Sequence, residues 1–210
     1  MNRRRTAILI SGRGSNMRSL IEAARVPDFP AEIVLVASNR PDAPGLADAK
    51  QAGIATAAVD NKIYAGREEF EGPLQALFDI HRVDLICLAG FMRMLTAGFV
   101  ERWSGRIINI HPALLPAYRG LNTHERALAD GVKIHGCTVH FVVPAMDEGP
   151  IIAQAAIAVL NDDTAETLAA RVLEEEHKLY PQALRIVASG DYSVDGNRVR
   201  SKLASASARV

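Results

Sequence analysis

Cysteine is scarce in this chain of 210 residues, which carries only Cys87 and Cys137. Both sit inside apolar, strand-like runs and neither belongs to a Cys-x-x-Cys pair. That excludes a disulfide framework and a zinc site and points to buried, reduced thiols in a cytoplasmic protein. Net charge is missing as well, because 24 basic residues balance 24 acidic ones. No global field therefore recruits nucleic acid or a membrane surface, which leaves only a local anion site to consider. Long apolar runs are absent: no stretch approaches the roughly 20 residues that a membrane span needs. Arg3 to Arg5 are followed by only five residues before Ser11-Gly12 interrupts the apolar run, too few for a signal peptide. The length suits one sizeable core in a soluble chain.

What the chain does have is concentrated between Arg106 and Pro116. Ile108 and Ile110 point to one face of a short strand, and Asn109 and His111 to the other. Pro112 ends the strand directly after the histidine, since proline cannot donate to a ladder. The pair is thus presented at the carboxyl end of a strand, where open α/β sheets place their ligands. An amide can stabilise a developing oxyanion, and a histidine can move protons near neutral pH. Taken alone, such a pair serves equally well to satisfy a loop backbone.

Upstream, Thr6 to Ile10 is a continuous apolar run, the mark of a strand buried on both faces. It ends in Ser11-Gly12-Arg13-Gly14-Ser15-Asn16, after which a helical pattern begins at Met17. Strand, glycine-rich turn and helix N-terminus form an anion-binding arrangement. The turn lacks the Lys-Ser/Thr of a P-loop and the third glycine of a dinucleotide fingerprint, so a single phosphate suits it better than a pyrophosphate. The plainer alternative is a tight turn with a Ser or Asn helix cap. Further strands are expected over residues 32–38, 54–59 and 84–89, with helices over 45–51 and 67–81, the second opened by Arg67. By position alone Arg67 is a solvated first-turn residue. The segment Phe91-Met92-Arg93-Met94-Leu95 follows a strand end, and is either core or the wall of a pocket for a flat aromatic ligand.

Past Pro116, Gly136 to Val143 alternates, with Thr138 and His140 on one face. Asp147 lies in the next loop, by default a turn former, although beside a histidine a carboxylate favours the charged imidazole. A strand over 151–159 precedes the last helix, whose start Asp163 to Glu166 fits a cap with a carboxylate three residues on. Its apolar stripe, Leu168, Val172, Leu179 and Ala183, has a gap filled by Glu176, so this carboxylate faces inward and must meet a partner or a polar ligand. Pro181 predicts a bend or break just beyond Glu176. Asp195-Gly196-Asn197 centres a hairpin, and residues 201–210 read as a frayed tail. Strands alternate with helices without a linker. The expected fold is a Rossmann-like, mostly parallel open sheet with helices on both faces, antiparallel additions and a C-terminal hairpin.

The turn Ser11 to Asn16, the segment Leu88 to Leu95, the block Asn109-Ile-His-Pro-Ala-Leu-Leu-Pro116 and Asp147-Glu-Gly-Pro150 together resemble the phosphoribosylglycinamide formyltransferase family, over about residues 6–200. The resemblance implies one formyltransferase domain over residues 1–200. It implies transfer of a formyl group from 10-formyltetrahydrofolate, as co-substrate, to the amino group of glycinamide ribonucleotide in purine biosynthesis. It gives catalytic roles to Asn109, His111 and Asp147. Gly14, Ser15, Asn16 and Glu176 fall to the ribotide, and Arg67, Met92, Arg93, Met94, Leu95 and Asn109 to the folate. It implies small-molecule partners and neither metal, nucleic acid nor membrane, in a cytoplasmic monomer or homodimer.

Three positions depart from the family pattern. Ala117, with Arg119 two residues on, replaces a common lysine after Leu-Leu-Pro. Glu148 stands where glycine is frequent, and Arg13 replaces a small or polar residue in the phosphate turn. These touch loop shape and anion affinity and leave the Asn/His/Asp set intact. A formyltetrahydrofolate hydrolase is expected to bring an N-terminal regulatory domain, and a methionyl-tRNA formyltransferase a basic C-terminal one. Only five residues precede the first strand and the total charge is neutral, which argues against both. A sugar formyltransferase shares the same chemistry. A non-catalytic nucleotide-binding module has no use for an amide, an imidazole and two carboxylates at these places.

Overall fold

The computed structural model describes residues 3–201; most of the expected frayed tail, residues 202–210, lies outside them. Nine strands form one sheet in the order β3-β2-β1-β4-β5-β6-β7-β9-β8. The strands β1 (Arg4–Ile10), β2 (Ala31–Ser38), β3 (Thr56–Ala58), β4 (Leu85–Leu88) and β5 (Ile107–His111) pair in parallel. The helices between them are α1 (Ser15–Ala24), α2 (Gly45–Gln51), α3 (Arg67–Ile80) and α4 (Ala97–Arg102). Two antiparallel strands follow, β6 (Ile134–Phe141) and β7 (Ile151–Ala158), with α5 (Thr123–Ala129) before them and α6 (Ala165–Ser189) after. The expected hairpin is β8 (Tyr192–Asp195) with β9 (Arg198–Ser201), and β9 closes onto β7.

The apolar runs explain the layers. Ala7 and Leu9 face one side of β1, Ile8 and Ile10 the other, and all four are fully buried. The first pair joins a core with Phe70, Leu74 and Phe78 of α3 and Phe99 of α4. The second pair packs with Met17 and Leu20 of α1 and with Leu168, Val172 and Ala183 of α6. Each of the buried Leu, Ile, Val, Met and Phe side chains contributes about 1.5–3 kcal/mol on burial. Because both faces are covered, β4 and residues 7–10 of β1 are apolar throughout, whereas β5 carries Asn109 and His111 on one face. Chain order reverses between β1 and β4, so a crevice opens outside their carboxyl ends, next to β5.

Two expectations about α6 are corrected. Of the bend or break expected beyond Glu176, no break occurs: the helix runs through Pro181 to Ser189. Leu179, Tyr180, Ala183 and Leu184 are buried on either side of it, and that packing outweighs one missing backbone bond. The N-cap is Thr164, which exchanges reciprocal bonds with Thr167. The Asp163 carboxylate instead accepts from Leu160 N, Thr167 Oγ1 and Arg171.

Candidate active site

β5 ends at the crevice, and its register with β6 sets Asn109 opposite His140 and His111 opposite Thr138. Asn109 is half-buried, while His111 and His140 are buried at 5% and 2% exposure. Asp147 reaches the same spot from the loop after β6. It holds a left-handed backbone, φ 55°, which Asp and Asn tolerate better than other non-glycine residues. One Asp147 oxygen, Oδ2, accepts the Gly120 amide at 2.9 Å and lies 3.5 Å from His111 Nδ1. The other, Oδ1, lies 3.7 Å from His140 Nε2.

The hydrogen bonds sort the two imidazoles. His111 Nε2 lies 2.9 Å from the Tyr118 carbonyl while Nδ1 faces Asp147, so both nitrogens meet oxygen acceptors. That arrangement satisfies a doubly protonated ring. His140 differs. Its Nδ1 is 2.9 Å from the Phe141 carbonyl and its Nε2 is 3.2 Å from Asn109 Nδ2. The network assigns the proton to Nδ1 and leaves Nε2 to accept from the Asn109 amide. Burial, the largest influence, pushes the His140 pKa down and keeps the ring neutral. His140 thus orients Asn109, and Asp147 orients His111.

These groups line a cavity of about 550 Å³, together with Gly90–Leu95, Gly120–Glu125 and Val142–Asp147. Its wall includes Met92, Arg93, Met94 and Leu95; Met92 and Met94 are 73% and 45% exposed. The Arg93 guanidinium sits 4.8 Å over the Phe70 ring. Glu71 is buried and anchors the far end of this segment: its carboxylate accepts from Thr96 N at 2.6 Å and Thr96 Oγ1 at 2.5 Å.

The expected ribotide residues stand apart from that wall. Gly14 caps α1 with φ 68° and no side-chain cap is made, so the plainer Ser or Asn cap is not what forms. The first bond in α1 runs from Arg18 N to Gly14 O at 3.0 Å, and the amides before it point out of the helix end. Gly45 approaches this turn so closely that a Cβ there would lie 2.7 Å from Ile10 Cδ1 and 3.1 Å from Gly12 O. Glu176 is buried at 7% exposure and accepts from Asn16 Nδ2 at 2.6 Å. Burial raises its pKa, and the Asn16 bond offsets part of that rise. Asn16 Oδ1 is buried without a partner. One turn along α6, the Tyr180 hydroxyl is 3.0 Å from Leu88 O and 3.1 Å from Ile108 O, bracing β4 and β5. Gly14, Ser15, Asn16 and Glu176 do not line the cavity, and neither does Arg67, the exposed first residue of α3.

Sequence reasoning passed over His140 as a member of the site and did not foresee that Gly120–Glu125 would form a wall. The alternation that puts His140 on the face of Thr138 was visible; its alignment with Asn109 appears only once β6 pairs antiparallel. Two of the departures prove to be partners, since Arg119 and Glu148 form an ion pair across the loops that carry Gly120 and Asp147.

Fold and site define a doubly wound α/β enzyme in which an amide, an imidazole and a carboxylate meet at a strand-end cavity. Residues 4–184 match the formyl transferase family, and the chain belongs to it. It is 46% identical over 193 residues to the trifunctional purine biosynthetic protein adenosine-3 of Homo sapiens, covering 92% of this chain and 19% of that protein. The chain thus spans less than a fifth of that relative's length. Phosphoribosylglycinamide formyltransferase of Escherichia coli is 41% identical, with 90% of each chain covered. The crystal structure of phosphoribosylglycinamide formyltransferase from Brucella melitensis superposes with a TM-score of 0.86 at 56% identity, covering 90% of this chain and 97% of that one.

Proposed function

We propose that residues 1–200 act as one formyltransferase domain that moves a formyl group from 10-formyltetrahydrofolate to the amino group of glycinamide ribonucleotide, a step of purine biosynthesis. The observation that carries the reading is the meeting of Asn109, His111 and Asp147 at one cavity, from β5 and a loop far along the chain. The names of the relatives point the same way.

In this reading the ribotide amine attacks the formyl carbon, and the carbonyl oxygen becomes an oxyanion. The Asn109 amide donates its remaining N–H to that oxygen, where charge develops. The protonated His111 ring, whose Nε2 stays on the Tyr118 carbonyl, turns its Nδ1–H from Asp147, 3.5 Å away, to the same oxygen. Asp147 orients the His111 ring and carries the proton lost by the amine to the folate nitrogen, directly or through water. The tetrahedral carbon then releases tetrahydrofolate as its bond to that nitrogen breaks. The amides at Gly14, Ser15 and Asn16 receive the ribotide phosphate and Glu176 accepts from ribotide donors. The Met92–Leu95 wall, with Asn109, takes the pterin ring, and Arg67 meets the anionic end of the folate. Every group comes from one chain, so monomer and homodimer both fit, and the reaction belongs in the cytoplasm. Among the described residues no helix is long and apolar enough to cross a membrane, and no group of three or more His, Cys, Asp or Glu could hold a metal ion.

The test is to supply both substrates and follow released tetrahydrofolate by absorbance, with mass spectrometry of the ribotide. Formylated ribotide and tetrahydrofolate in equal amounts are expected. A protein that binds ribotide and releases nothing, or that makes free formate, would refute the proposal.

A further inference from the structure

Ser11 joins two strand ends. It directly follows β1, is buried at 6% exposure, and its amide donates to the Gly90 carbonyl at 3.1 Å, carrying the β1–β4 pairing one step further. Its hydroxyl accepts from the Met92 amide at 2.8 Å and donates to Asn39 Oδ1 at 2.5 Å. A hydroxyl has one proton, so the bond to Asn39 fixes the direction in which Ser11 can accept. Asn39 follows β2, is also 6% exposed, and extends the chain of contacts to Asn61. Turned one way, the Asn61 amide accepts from Asn39 Nδ2 at 2.9 Å. Turned the other, it donates to the Asn39 carbonyl at 2.8 Å and accepts from Arg93 Nη1 at 3.2 Å.

None of these three side chains lines the cavity, yet Ser11 holds the amide of Met92, which does. The Asn61 amide meets either the Asn39 side chain or, turned over, the Arg93 guanidinium of the same wall. The wall needs such support. It opens at Gly90, φ 73°; Phe91, stacked on Phe70, and Leu95 pack on the core, while Met92 and Met94 between them are largely exposed. Polar ties hold the backbone of this exposed stretch, Ser11 at Met92 and Glu71 at Thr96.

We propose that Ser11 and Asn39 are positioning residues, whose buried hydrogen bonds set the Met92–Leu95 wall at the place a folate ring requires. They act through the wall and touch no substrate. The role rests on the reading of the cavity as the folate site. Ser11 also begins the turn that continues to Gly14, but its hydroxyl faces Met92 and Asn39, so the folate side should bear the loss.

The test uses Ser11→Ala, Asn39→Ala and Ser11→Thr in the full chain, with tetrahydrofolate and glycinamide ribonucleotide titrated separately by calorimetry. Ser11→Ala and Asn39→Ala should each weaken tetrahydrofolate binding about tenfold, the scale of one lost buried hydrogen bond, with ribotide affinity changed less than about threefold. Ser11→Thr, which keeps the hydroxyl, should restore most of the folate affinity. A merely structural role would lower the melting temperature and spare this split between ligands. Should Ser11→Ala fail to fold, the half-buried Asn61→Ala carries the same test, with a folate-confined loss of about threefold. Folded variants that bind tetrahydrofolate like the wild type, or that lose both ligands equally, would overturn the positioning role and leave the proposed function standing. A wild-type protein that binds ribotide but no tetrahydrofolate would remove the folate reading, and the positioning role with it.

Discussion

Asp147→Asn removes a charge and little else. Asparagine keeps the shape and tolerates the left-handed backbone at φ 55°, and its remaining oxygen can still accept the Gly120 amide that Oδ2 now accepts at 2.9 Å. What is lost is the negative partner 3.5 Å from His111 Nδ1, where the two side chains are only 6% and 12% exposed. Losing the carboxylate that orients the ring, and the base that carries the proton, should lower kcat by about two to three orders of magnitude, the worth of such groups in acid–base and oxyanion catalysis. The ribotide meets other residues, so its KM should stay within about threefold. The assay is steady-state release of tetrahydrofolate with either substrate varied, backed by a thermal melt to confirm folding. A folded variant with kcat within about threefold of wild type would refute the role given to Asp147.

Other perturbations separate the subsites and the histidines. Gly14→Val forces a β-branched residue into φ 68° and puts its Cβ 3.1 Å from Met17 Cε, so the ribotide KM should rise at least about tenfold; an unchanged value would place the phosphate elsewhere. Glu176→Gln keeps a partner for Asn16 Nδ2 but drops the buried charge, so ribotide KM should rise about tenfold with kcat nearly unchanged; equal kinetics would detach Glu176 from the ribotide. Burial pushes the buried His135 down to about 4, while the unfolded chain takes up the proton near 6.5. Stability from this group is therefore complete above about pH 6.5 and falls as the pH drops toward 4, by about 2 kcal/mol at pH 5. Urea midpoints at pH 7.5 and pH 5 should show a smaller acid loss in His135→Gln than in wild type, and identical losses would contradict the assignment.

How much of this was legible beforehand follows from the kind of signal each part sends. β1 and β4 announce themselves as unbroken apolar runs because both their faces are covered. Asn109 and His111 stand out because two polar residues alternate with isoleucines directly before a proline. Glu176 is visible as a carboxylate interrupting the apolar stripe of α6, and its buried partner Asn16 is 160 positions away, beyond any local pattern. The continuity of α6 through Pro181 was hidden for a similar reason, since tertiary packing on both sides outweighs a local rule. The Thr164 cap differs from expectation because Asp163, the stronger capping type by composition, is engaged by Leu160, Thr167 and Arg171. His140 belongs to the site only through a cross-strand register, which alternation within one strand cannot supply. The Ser11–Asn39–Asn61 run likewise joins residues from three separate loops, each unremarkable alone.

The central claim is that His111, held between Asp147 and the Tyr118 carbonyl, does chemistry on a formyl group. Single-turnover transfer of isotope-labelled formyl from 10-formyltetrahydrofolate to glycinamide ribonucleotide, in wild type and in His111→Ala, tests it most directly. Prompt labelling is expected of the wild type, and transfer slowed by at least about two orders of magnitude in the variant, with both ligands still bound. Labelling of the ribotide by His111→Ala at the wild-type rate would contradict it.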